Sequence, residues 1–228
     1  MSMSNVSEDE KGSVRNPGVA EVLREGVSLA IDLPVLYGLY LMIGLGFVIW
    51  GSVGGVVSLI VTALGTLVVY RGMGKDIDTE RSLVVLVVYA YLAGLIADFL
   101  GLVGIFMLVI PGIYLTLRFQ FTTAAVMLEE QGPFGGLRRS LAISEGNLWT
   151  IFGVGSVFFV VSLVCWGGSI LATGGVPTGP TGEVLQRLSQ QIAYGSVIQS
   201  ILVGPVQVCC TVYMYEAFQT EQDLSQSS

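Results

Sequence analysis

The sequence predicts an all-α integral membrane bundle of about six transmembrane helices, flanked by cytoplasmic amphipathic helices. Three observations carry that reading. Residues 33–70 run for 38 positions without an Asp, Glu, Lys or Arg, and further uncharged runs cover 82–97, 99–117, 146–182 and 188–215. Hydrophobic residues make up 53% of the chain and charged ones only 12%, and the mean hydropathy of +0.76 lies outside the soluble range. About 20 apolar residues in a helix cross the ~30 Å hydrocarbon layer, and a helix satisfies its own backbone polar groups there.

The elements follow in order. Residues 1–15 are polar and acidic and are expected to be disordered. The first 32 residues hold no apolar stretch ending in a small-residue cleavage site, so no cleaved signal peptide is expected. Asn16-Pro17 reads as an N-cap followed by proline at the first helical position. Val19, Val22, Leu23, Val27, Ala30 and Ile31 then recur at helical spacing, giving an amphipathic helix suited to the membrane surface or to packing on the bundle.

The first long apolar run is twice the length of one crossing. A turn at Gly51, Gly54 and Gly55 divides it into spans over 33–50 and 54–71. A third span is expected over 82–100, turning near Gly101, and a fourth over 103–125 with a kink at Pro111. Gly132-Pro133 opens a second amphipathic helix, residues 133–145, whose Phe134, Leu137 and Leu141 form one stripe for the membrane surface. Gly146 suits the position after a helix end and Asn147 an N-cap. The fifth span covers 147–172, an irregular Gly/Pro-rich loop follows to 182, and the sixth covers 193–216. Residues 16–219 thus form a single membrane domain, with 220–228 as a flexible tail.

Charge orients the arrangement. Eight of the ten basic residues (Lys11, Arg15, Arg24, Arg71, Lys75, Arg81, Arg138, Arg139) fall in three segments that share one side of a six-span protein. The positive-inside rule makes that side, and both termini, cytoplasmic. The net charge of −7 with only two lysines is the composition expected of a halophile, whose surface faces high salt. Without a basic stripe, no nucleic-acid partner is expected. The expected partners are membrane lipids and a membrane protein.

The chain has no histidine, and Cys165, Cys209 and Cys210 all lie in apolar runs where they act as small hydrophobes. The commonest metal ligand and general base are absent together. No enzyme chemistry, cofactor or metal is expected.

Three sets of polar residues stand out against this background. Arg118, in the inner half of the fourth span, is costly unless paired. It is a candidate lipid or anion contact together with Arg138 and Arg139; its structural alternative is to snorkel or to pair with a carboxylate. Asp98 is expected near the outer interface, where a carboxylate costs little. It would lie deep enough for a proton or cation only if the turn sat at Pro111 rather than near Gly101. Ser196, Gln199, Ser200, Gln207 and Thr211 form a polar seam along the last span, either bonding across helices or lining a solute path. Ala90-x-x-x-Gly94 and Gly51-x-x-x-Gly55 suit close helix packing.

Ile110-Pro111-Gly112-Ile113-Tyr114-Leu115, Arg118, Glu129, Gly132-Pro133, Leu137-Arg138-Arg139-Ser140 and Gly146-Asn147-Leu148-Trp149 together resemble the multi-pass membrane domain found beside glycerophosphodiester phosphodiesterases. The likeness is strongest over residues 105–155, and Gly204-Pro205 also fits. It implies a helical membrane module without the hydrolase, whose acids and histidines this chain lacks. The leading functional expectation is a non-enzymatic membrane module acting through lipid or protein contacts. The alternative is a small-solute or ion transporter using the seam. A continuous polar cavity would favour the transporter, and a filled core the module.

Overall fold

The computed structural model describes residues 17–50, 54–75 and 81–227, and among them every regular element is a helix. The ten are α1 (Val19–Asp32), α2 (Pro34–Trp50), α3 (Gly54–Gly72), α4 (Leu83–Met107), α5 (Val109–Arg118), α6 (Thr122–Leu128), α7 (Pro133–Ile143), α8 (Leu148–Ala172), α9 (Thr181–Leu202) and α10 (Gly204–Ser227). Residues 1–15 and Gly51 lie outside the described residues.

By length and composition, α4 and α8 can each cross a membrane. The count rises to four if two bent pairs are each one span: α1–α2, meeting at 90°, and α9–α10, meeting at 49°. Much of α4 and α8 faces outward with large apolar side chains, among them Leu92, Phe99, Val160 and Leu163. In water such faces would be costly.

α10 is the centre of the packing. Its Cys210, Met214, Tyr215 and Phe218 join Val22 of α1, Phe121, Ile143 of α7, and Ile151 and Val154 of α8 in one core. Its Val208, Cys209 and Val212 join a second core with Ala30, Leu36 and Tyr40. A third, without α10, packs Ala63 and Leu67 of α3 against Leu86, Ala90 and Ala93 of α4 and Val126 and Met127 of α6. Phe121 meets Phe218 edge-on at 5.9 Å between ring centres, a geometry that contributes about 0.5–1.5 kcal/mol beyond burial.

Several boundaries differ from the sequence expectations, each for a physical reason. The N-cap of α1 is Gly18, so Pro17 precedes the helix instead of opening it. α1 turns Val22, Gly26 and Ala30 inward; a Cβ at Gly26 would lie 2.2 Å from the Cys210 sulfur, so this face is packed on α10. Only Val27 and Ile31 of its expected stripe are clearly exposed. On α7 the inward face is Gly136, Leu137, Ser140 and Ile143, which splits the stripe expected for the membrane surface: Leu137 is 7% exposed and Phe134 77%. The tail expected beyond residue 219 continues as helix, because α10 runs through Ser227 and Gln222 donates to the Ala142 carbonyl at 2.7 Å.

The third and fourth spans change most. α4 extends to Met107 and the chain turns at the extended Leu108, not near Gly101. The return is antiparallel and very close: a Cβ on Gly104 would lie 2.8 Å from the Gly112 Cα, and one on Gly112 only 2.3 Å from the Ile105 nitrogen. Glycines on both sides permit the approach. Pro111 falls in the first turn of α5, where the missing N–H costs nothing, so it makes no kink. The return breaks instead at residues 119–121, between α5 and α6. The sixth expected span is likewise two helices. Pro205 cannot donate to the Ile201 carbonyl, and the helix bends at Val203. Gly146 adopts φ +86° after α7, as expected of its position.

Gly112→Leu should force the α4–α5 hairpin apart, lowering unfolding free energy by about 1–3 kcal/mol, read as a lower thermal midpoint in detergent. Gly38→Ala, with open space at its Cβ, should leave the midpoint nearly unchanged.

Candidate functional site

The polar seam assembles at the α9–α10 break. Ser196, Gln199 and Ser200 come from the end of α9 and Gln207 and Thr211 from the start of α10. All five line one cavity of about 420 Å³. Helices α2 and α3 supply Tyr40, Ser58, Thr62 and Thr66, α8 supplies Trp166, and the α5–α6 region supplies Gln120 and Thr123. The bend is fitted to this wall, since a Cβ on Gly204 would lie 2.2 Å from the Tyr40 ring.

A second cavity of about 900 Å³ lies alongside, between α4, α5, α6 and α8. Gln120, Thr123, Gln199 and Gln207 line both, so the two adjoin. Gln199 is fixed in the wall between them: the Trp166 indole donates to its Oε1 at 2.5 Å, and its amide donates to Ser162 Oγ at 3.0 Å.

Asp98 lines the second cavity. With the turn at Leu108, it sits well inside α4, about 14 Å before the last helical residue and about 22 Å after the first at 1.5 Å per residue. The turn thus lies beyond Gly101 but short of Pro111, and Asp98 is an exposed residue of α4. Gly94, Ala97 and Gly101 occupy the same face and leave the room a larger side chain would fill. Ala90 and Gly94 serve packing inside the chain, the latter against Leu59 of α3.

Arg118 lies elsewhere. Its Nε donates to the Tyr114 hydroxyl at 2.9 Å, a terminal nitrogen donates to the Leu141 carbonyl at 2.9 Å, and its guanidinium sits 5.1 Å from the Tyr114 ring centre. Ser140 completes this joint. Its hydroxyl donates to the Arg118 carbonyl at 2.7 Å and accepts from the Phe121 N–H at 3.1 Å, serving both sides of the α5–α6 break. Arg118 thus reaches the helix, α7, that carries Arg138 and Arg139. Arg138 is exposed. Arg139 pairs with Glu129 at 2.8 Å, an oxygen that also accepts the Tyr215 hydroxyl at 2.5 Å. Burial disfavours the Arg139 cation, but Glu129 and Tyr215 outweigh it and raise its pKa. Lys75 pairs with Glu216. These contacts fasten α3, α7 and α10 at one end of the bundle.

Sequence reading missed the Glu129–Arg139–Tyr215 cluster and the Ser140 joint. Their partners lie 10 to 86 residues apart, and no local pattern announces them. Among the described residues no three His, Cys, Asp or Glu side chains gather as a metal site would require.

Ser140→Ala leaves the Phe121 N–H without its partner and the Arg118 carbonyl with only the longer 3.5 Å contact from the Ser144 hydroxyl, and should cost about 1–3 kcal/mol of stability. Arg118→Leu should cost less, because its two hydrogen bonds are exposed. Thermal unfolding of both purified variants checks the order.

No curated protein and no solved structure matches the chain. A family described as a domain of unknown function, DUF7847, matches residues 20–218. That match spans nearly the whole chain, from the second residue of α1 to Phe218 at the core of α10, and the protein belongs to this family.

Proposed function

We propose that the protein is a multi-pass membrane protein that takes a small polar solute into the paired cavities at the α9–α10 break. The single observation that carries this is the convergence of the whole polar seam on one cavity, which adjoins a second across Gln199 and Gln207. The Ser196, Ser200 and Thr211 hydroxyls donate to carbonyls of their own helix, which leaves their oxygens to accept from a solute that brings its own donors. Discontinuous helices recur at such sites because their broken backbone offers carbonyls that a continuous helix would have used. Here Pro205 leaves the Ile201 carbonyl without its helical donor. A module acting only through lipid or protein contacts would be better served by a filled interior. The resemblance over 105–155 speaks only for a helical membrane module and adds no chemistry.

The same reading takes six crossings: α2, α3, α4, the α5–α6 return, α8, and the bent α9–α10. The return qualifies because Gly112 of α5 faces Gly104 while Val126 and Met127 of α6 reach Leu86 and Ala90, so it runs the length of α4. Both termini and α7 then share the cytoplasmic side with the basic segments. Lipids surround the bundle.

Two labelling experiments on a cysteine-free background test these proposals. Cysteines placed at Ser200 or Gln207 should react with a water-soluble thiosulfonate roughly tenfold or more faster than one at Val161, because a thiolate forms only where water reaches. Equal, slow reaction at all three sinks the solute cavity. An impermeant reagent applied to intact cells should spare residues 131–136 and reach 173–180; the reverse overturns the six-crossing topology.

A further inference from the structure

We infer that the solute is a small cation, held by Asp98 in the larger cavity; this rests on the solute-cavity reading and names its substrate class. Among the described residues lining either cavity, Asp98 is the one charged side chain. All the other polar groups there are hydroxyls, amides, a phenol and an indole. Asp98 is exposed to the cavity mouth rather than enclosed by protein, and it has neither an ion pair nor a hydrogen bond among the described residues, so its carboxylate is open to a cation.

The elements around it supply no competing cation. α3, α6 and α8 bring Leu59, Thr122, Phe159 and other uncharged side chains to this cavity. α5 carries Arg118 at its end, but that guanidinium is engaged by Tyr114 and the Leu141 carbonyl and does not line the cavity.

A second observation points to the same ligand. Thr122 lines this cavity, is 1% exposed, and its hydroxyl oxygen is buried with no hydrogen-bond partner. Nearby, the Thr116 hydroxyl donates to the Gly112 carbonyl at 2.9 Å, which leaves its lone pairs to accept. A carboxylate with hydroxyl and amide oxygens is a hard-oxygen donor set suited to an alkali cation or a small ammonium. An anion would meet an unbalanced carboxylate, and a neutral solute would leave that charge unpaired.

Uptake into proteoliposomes of the full chain tests this, using radiolabelled sodium, rubidium and tetramethylammonium as cations, with chloride and mannitol as the anionic and neutral comparisons. At least one cation should enter saturably, chloride and mannitol should not, and Asp98→Asn should lower that uptake about tenfold or more. Asp98→Glu should retain it, and Thr122→Val should weaken it less than Asp98→Asn. Matching size-exclusion profiles and thermal midpoints show that the variants fold. Saturable mannitol or chloride uptake without cation uptake overturns the cation assignment while leaving the cavity reading intact. Cation uptake unchanged in Asp98→Asn overturns Asp98 as the holder. Failure of all five probes overturns the inference, and the labelling of Ser200 and Gln207 then decides the cavity reading separately.

Discussion

Inside an apolar layer every backbone N–H and C=O must find a partner, and the places where a helix breaks are where that constraint becomes visible. This chain breaks two of its long helical segments and treats the breaks differently. At residues 119–121 the loose ends are closed by protein: Ser140 serves the Arg118 carbonyl and the Phe121 N–H, and Arg118 itself reaches back to the Leu141 carbonyl. At Val203 the break is left beside a cavity, with Tyr40 packed on Gly204 and polar side chains from both half-helices facing inward. One break is a joint. The other forms part of a cavity wall.

The rest of the bundle holds these breaks in place. α10 can start beside a cavity because its remaining turns are fixed in two cores, by α1 across Gly26 and by the aromatic contacts of Phe121 with Tyr215 and Phe218. Its far turns are tied by Tyr215 to Glu129, Glu216 to Lys75 and Gln222 to the Ala142 carbonyl. Between apolar helices in lipid there is little hydrophobic drive, and close packing with a few polar links does the work. The glycine contacts, several under 3 Å to an added Cβ, are the form that packing takes here.

Chemically, the paired cavities combine three things: many neutral hydrogen-bonding groups, one carboxylate inside α4, and an interior wall, Gln199, held by Trp166 and Ser162. Because Gln199 belongs to both linings, moving its side chain would change how the two volumes communicate. Its bonds to α8 make that position dependent on how α8 packs against α9, where Gly195 lies against Trp166 and Ser169.

Composition and uncharged runs were enough to establish an all-helical chain with segments apolar enough for a membrane, since those properties depend on side-chain hydropathy alone. The seam was legible too: helical periodicity placed Ser196, Gln199, Ser200, Gln207 and Thr211 on or near one face, and the 49° bend did not scatter them. What hydropathy could not decide was where an unbroken apolar run turns. Gly101 and Leu108 look equally able to end α4, and only the fit of Gly104 against Gly112 selects the later turn and carries Asp98 inside the helix. Nor could local pattern show that Leu137 faces the bundle while Phe134 does not, or that Ser140 closes a break some 20 residues earlier. Those depend on which helix lies opposite, and neighbours across a bundle exist only once the chain has folded.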